Sequence, residues 1–131
     1  MTDAATYGSL IAAVDQYFEL MFDSDTGRFD RVFAPTARLH GLRDGNLRTL
    51  SAAEYRTLLA STPSPKVKNA PRQQEILFVD LASPSEALVK VRVRIDTFLY
   101  VDYLSFHLIG GALLVTAKSF HIEKRFEQQA A

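Results

Sequence analysis

Asp102 is the residue whose setting most strongly implies chemistry. In the run Tyr100-Val-Asp-Tyr-Leu-Ser-Phe106 it alternates in phase with Tyr100, Leu104 and Phe106, so a strand here aims its carboxylate at an apolar face. A carboxylate removed from water must be hydrogen-bonded or protonated, and either form suits a ligand pocket or proton transfer. If Gly110-Gly111 is a two-residue turn, Ser119 lies opposite Asp102 and His121 opposite Tyr100, on the same face. His121 would then accept a proton from Asp102 or from a ligand. His40 is a third candidate acid or base, although its place between Leu39 and Gly41 turns it outward if Leu39 faces the core. Plainer roles stand beside these: Asp102 anchored to Ser119 or to a backbone amide, and His121 as a solvated residue near a strand end.

Other residue types narrow the chemistry by what they leave out. With no cysteine among 131 residues, a disulfide scaffold, a thiol nucleophile and a Cys-ligated metal are excluded, and a reducing compartment is suited. The three His lack metal-ligand spacing, and neither a phosphate-cradling Gly loop nor a Ser nucleophile elbow is present; no metal or cofactor is expected. Fifteen Lys and Arg balance fifteen Asp and Glu, which removes the basic footprint of a nucleic-acid or anionic-membrane binder. The stripe Lys90, Arg92, Arg94 reads as a solvated or paired face. Met1 to Gly8 has neither a basic start nor an unbroken apolar run, so no signal peptide or membrane span is expected and the cytoplasm is the default.

The elements that must position these residues follow from two periodicities. Tyr7, Leu10, Ile11, Val14, Phe18, Met21 and Phe22 recur three or four apart, predicting an amphipathic helix over Ala5 to Phe22 with Tyr17 bordering its stripe. A short helix fits Thr26 to Phe33 and stops before Pro35. Ala37 to Arg43 and Asn46 to Leu50 alternate around Asp44-Gly45, a hairpin signature. Ser51 and Glu54 form a capping box for a third helix to about Ala60, with Tyr55, Leu58 and Leu59 on one side. The Pro-rich segment from Ser61 to Pro71 reads as a surface loop. Strands follow over Arg72 to Ala82, Ala87 to Asp96, Phe98 to Ile109 and Ala112 to Lys124. Turns at Asp96-Thr97 and Gly110-Gly111 both place Val89, Val91, Val93, Leu104, Phe106, Leu113 and Val115 on the Asp102 face. The opposite face then carries Lys90, Arg92, Arg94, Val101, Tyr103, Ser105, His107, Leu114, Thr116, Lys118 and Phe120, too apolar a mixture for plain solvent. A bulge would reverse part of this assignment. Residues 1–131 read as a single α+β domain with its core over about 5–124.

These features together resemble the nuclear transport factor 2-like superfamily, of the SnoaL and ketosteroid isomerase-like fold. The likeness rests on the Tyr17-Phe18 pair, Phe33-Ala-Pro-Thr-Ala37, the hairpin at Arg43-Asp-Gly45, the capped helix from Ser51 and four closing strands. Within the superfamily the chain is most similar to the branch called putative lumazine-binding, through Leu42-Arg-Asp-Gly45, Pro63-Ser-Pro65, Val89 to Ile95, Asp102-Tyr-Leu-Ser105 and Lys118-Ser-Phe-His121. Leu113, where members often place Trp, and the Asp96-Thr97 turn depart from the pattern. The resemblance implies a curved antiparallel sheet wrapped around three helices, a deep pocket between them, and commonly a homodimer through the sheet. Leu114, Val101, Tyr103 and Phe120, all assigned to the outer face, would be buried by such a partner.

The same resemblance gives Tyr17 a role, since Tyr in the ketosteroid isomerase branch directs a hydroxyl into the pocket. It also argues against that reaction here, because the position of that branch's catalytic carboxylate falls on Gly41. His40 lies where enzymes of the superfamily often place an acid or base. The leading expectation is a small-molecule-binding domain with an apolar pocket and polar handles from Tyr17, Tyr55, Tyr100, Asp102, Ser119 and His121. The alternative is an isomerase, dehydratase or cyclase using Asp102 with His121 or His40. A third class is a protein-interaction module using the outer sheet face. The Pro-rich loop is expected to close the pocket mouth.

Overall fold

The computed structural model describes residues 4–127. Helix α1 runs over Ala4–Asp23 and a 3₁₀ helix over Thr26–Arg31. Strands β1 (Phe33–Arg43) and β2 (Asn46–Ser51) form the first hairpin, and α2 spans Ala52–Ser61. Strands β3 (Gln74–Ser83), β4 (Glu86–Ile95), β5 (Phe98–Ile109) and β6 (Ala112–Arg125) complete the chain. The capping box of α2 is formed as expected: Glu54 donates its amide to Ser51 Oγ at 3.1 Å, and Ser51 donates its amide to Glu54 Oε1 at 2.8 Å.

The six strands make one sheet in the order β2-β1-β6-β5-β4-β3. It is mixed rather than wholly antiparallel, because β1 runs parallel to β6 while all other neighbours are antiparallel. The reason is topological: β1 and β6 meet only after the whole meander returns, and nothing forces a distant pair to alternate in direction. Tyr7 and Ile11 of α1 are exposed, and the helix instead buries Leu10, Val14, Tyr17, Phe18, Leu20 and Met21. Tyr17 is central to the buried face, with a fully inaccessible side chain. This face packs with Val89, Val91, Leu104, Phe106 and Val115 of the sheet into the core.

The two predicted hairpins do not agree along their whole length, because β6 is bulged. Phe106 pairs with Val115 but Ser105 pairs with Ala117, leaving Thr116 as an extra residue. Beyond it Leu104 pairs with Lys118, Asp102 with Phe120 and Tyr100 with Ile122. The inserted residue reverses the facing of the strand as far as Ile122, where a second shift follows. Lys118 and Phe120 therefore turn inward, against the expectation for both, and Ser119 and His121 turn outward opposite Tyr103 and Val101. Thr116 is fixed at the bulge by its hydroxyl, 2.6 Å from His107 Nδ1.

Candidate functional site

A cavity of 280 Å³ lies between α2, the end of the first hairpin, the Pro-rich loop and the β4–β5 turn. Leu39 and Leu50 come from the hairpin, Leu58 and Leu59 from α2, and Ile95, Phe98 and Phe120 from the later strands. Its walls are thus mostly apolar, with polar groups confined to a few places. Gly41 is essential to this shape: a Cβ there would sit 2.3 Å from the Phe120 ring and 2.5 Å from the Phe120 carbonyl oxygen. The Phe120 ring thus occupies the space that a side chain at position 41 would need.

The polar end of the cavity is built on Lys118, which the bulge delivers. Its side chain is 5% exposed, and its ammonium lies 3.4 Å from the Tyr55 hydroxyl oxygen and 3.7 Å from Met21 Sδ. Asp102 Oδ2 is 3.7 Å away. The rings of Tyr17 and Tyr55 hold the cation at 5.1 and 4.9 Å from their centroids, a favourable arrangement for a desolvated ammonium. Tyr55 donates its own hydroxyl to Met21 Sδ at 3.3 Å. An ammonium has three donors, and here all three meet only long or weak acceptors.

Asp102 is fully buried, as expected, but its partner is Tyr17 rather than Ser119. The Tyr17 hydroxyl donates to Oδ2 in a very short bond, and Oδ1 is buried without a hydrogen-bond partner. Burial pushes the Asp102 carboxyl above its ordinary range, against the opposing charge of Lys118 and the bond from Tyr17. Burial and the Asp102 charge push Tyr17 well above the usual phenol range, so it remains a donor. Burial pulls Lys118 down, but Asp102 and the surrounding phenols outweigh it and hold the ammonium above its ordinary value. Neither Asp102 nor Tyr17 lines the cavity, whereas Tyr55, Tyr100 and Lys118 do. The pair Asp102 and Tyr17 thus supports Lys118 from behind, and Lys118 presents the charge to the cavity.

Of the residues singled out in the sequence, the structure brings together Tyr17, Tyr55, Tyr100 and Asp102. Ser119 and His121 are exposed on the outer face, and so is His40; none of the three lines the cavity. The expected juxtaposition of Asp102 with Ser119, His121 or His40 is absent because the bulge and the strand alternation send those side chains to the opposite side. Lys118 is one of the four residues that the sequence reading placed on the wrong face. Its signal was present: Leu113 and Val115 fall on odd positions, Phe120 and Ile122 on even ones, and such a change of phase requires an extra residue between them.

The Pro-rich loop does border the cavity, through Thr62, Pro63, Pro65 and Lys68. It is tied at one side by the Lys66 amide, which donates to the Phe22 carbonyl at 3.0 Å. On the other, Lys68 is paired with Asp96 in the β4–β5 turn at 2.5 Å.

A mixed, six-stranded sheet folded against two α-helices, with an apolar cavity at one end, defines the nuclear transport factor 2-like, cystatin-like class of domain. The chain belongs to the family described as "Putative lumazine-binding", which matches residues 6–121. Among solved structures it is similar to an NTF2-like protein of unknown function from Silicibacter pomeroyi, with a TM-score of 0.83 and 20% identity over 94% of this chain and 100% of the other. It is also similar to an NTF2-like protein of unknown function from Shewanella baltica, with a TM-score of 0.78 and 18% identity over 92% and 96%. A ketosteroid isomerase-like protein from Erwinia carotovora atroseptica matches with a TM-score of 0.69 and 12% identity over 89% and 95%. No curated protein sequence matches the chain. Among the described residues, no helix is long and apolar enough to cross a membrane.

Proposed function

We propose that the domain binds a small, largely apolar molecule in the cavity beside α2, with a hydrogen-bond acceptor on the ligand held by Lys118. The observation that carries this reading is the ammonium itself: buried, charged, facing an apolar cavity and lacking a close acceptor. A ligand carbonyl or carboxylate oxygen would supply the missing acceptor, and the low-dielectric surroundings would strengthen that bond. Tyr55 and Tyr100 offer further hydroxyls. Asp102 and Tyr17 act by holding Lys118 rather than by touching the ligand.

The test uses prodan, a neutral naphthyl ketone whose emission moves to the red when its carbonyl accepts a hydrogen bond. Bound to the wild-type protein, it should emit to the blue of the probe in water but to the red of the probe in a hydrocarbon. Lys118→Met should bind it more weakly and with bluer emission, while Leu59→Trp, which fills the cavity, should abolish binding. Unchanged emission in Lys118→Met would remove Lys118 from the reading, and unchanged binding in Leu59→Trp would remove the cavity.

The same proposal includes a homodimer through the outer sheet face. Phe78 on β3, Leu88 on β4 and Tyr103 on β5 are exposed large apolar side chains, and the pairings of Phe78 with Lys90 and Lys90 with Tyr103 bring two of them to one row across the sheet. A second copy would remove this row from water. The cysteine-free composition supports residence in a reducing compartment such as the cytoplasm.

A further inference from the structure

We infer that the ligand is an organic anion, an apolar body whose acidic group is held at the cavity mouth by Arg43 and Arg48. This rests on the cavity-binding reading above and narrows it to a chemical class.

Five charged residues line the cavity, and Asp96 is the single carboxylate among them. Asp96 is taken by Lys68, and Lys118 faces Asp102. Arg43 and Arg48 are left over: among the described residues neither forms an ion pair. The Asp44 carboxylate, beside Arg43 in sequence, is instead bonded by Arg125 at 2.9 Å.

Their placement is not that of scattered surface cations. Arg48 pairs with Gly41 and Arg43 with Asn46 in the first hairpin, so the two arginines are diagonal neighbours on its cavity face, within mutual reach of one bound group. The Arg43 guanidinium is steadied over the Phe98 ring at 4.7 Å from its centroid, and Phe98 itself lines the cavity. A pair of planar guanidinium groups at the edge of an apolar cleft matches a carboxylate or another oxyanion, through directed donors as well as charge. The apolar walls exclude a small inorganic ion as the natural occupant, because such an ion would leave Leu39, Leu50 and Phe120 facing an unfilled space.

Two fluorescent probes with the same ring system test this: anilinonaphthalene sulfonate, an anion, and phenylnaphthylamine, its uncharged counterpart. The wild-type protein should bind the anion more tightly than the neutral probe by about tenfold, the worth of one well-placed ion pair. Added salt should shrink that ratio, and Arg43→Gln/Arg48→Gln should bring it towards one. Equal affinities in the wild type, or a ratio that survives both salt and the double substitution, would overturn the anion assignment while leaving a neutral ligand possible. The salt titration keeps the test decisive should the double variant not fold. If neither probe binds, or if Leu59→Trp leaves both affinities unchanged, the cavity-binding reading itself fails, and the anion assignment fails with it.

Discussion

At the scale of single residues, the buried group of Tyr17, Asp102 and Lys118 fixes what the cavity presents. Removing one member of a buried ion pair leaves the other charge without compensation, which costs about 3–5 kcal/mol. Lys118→Met should therefore lower unfolding free energy in urea by about that amount, and adding Asp102→Asn should restore part of it. Additive losses would show that the two charges do not interact. The carboxyl of Asp102 is raised in the folded protein by burial, so the folded state binds the proton more tightly than the unfolded chain. Its contribution is fully present below the unfolded value of about 3.9 and is lost as pH rises through the folded value. Above about pH 4, wild-type stability should consequently fall relative to Asp102→Asn, measured by chemical unfolding across mildly acidic pH. Lowered carboxylates such as Glu19 and Glu123 act in the opposite sense, but they are common to both proteins and cancel. The importance of Asp102 was readable from its apolar neighbours; its true partner was not, because Tyr17 is 85 residues away and belongs to a different element.

At the scale of elements, the helices and strands follow from periodicity, caps and turns, and their positions in the sequence are close to those found. Ser51 is a case where a local rule suffices: Ser51→Ala should destabilise the protein by about 1 kcal/mol, read as a lower urea midpoint, because α2 carries Tyr55, Leu58 and Leu59 to the cavity. Gly41 is a case where it does not. Nothing near it in sequence reveals that Phe120 crosses it, since β1 and β6 pair only in the finished sheet. Gly41→Ala should cost about 1–3 kcal/mol through overpacking and weaken prodan binding by displacing Phe120. The facing of β6 was lost for a related reason. Strand alternation carries a register error unchanged to the strand's end, so one unforeseen residue at Thr116 moved Lys118, Ser119, Phe120 and His121 together. The Pro-rich loop, held by Lys68 to Asp96, closes one side of the cavity. Lys68→Ala should raise the dissociation rate of a bound probe by about two- to fivefold, in line with a partly exposed ion pair, as followed by stopped-flow fluorescence.

At the scale of the whole molecule, one sheet serves two purposes, its helix-covered side bordering a cavity and its other side carrying a row of exposed apolar residues. If that row is an interface, the protein should sediment as twice its 14.6 kDa chain mass, and Tyr103→Glu should shift it to the monomer. A wild-type monomer would end the dimer proposal without touching the cavity. The extra residue at Thr116 links the two sides. Were β6 to pair without the bulge while keeping every residue, its downstream half would shift by one, sending Ser119 and His121 into the chamber and Lys118 and Phe120 out of it; deleting Thr116 would instead leave Lys118 opposite Leu104. An ammonium and a phenyl ring would be exchanged for a hydroxyl and an imidazole with the sequence unchanged. A domain built this way has two alternative linings written in one strand, and the choice between them is a matter of register rather than of side-chain substitution.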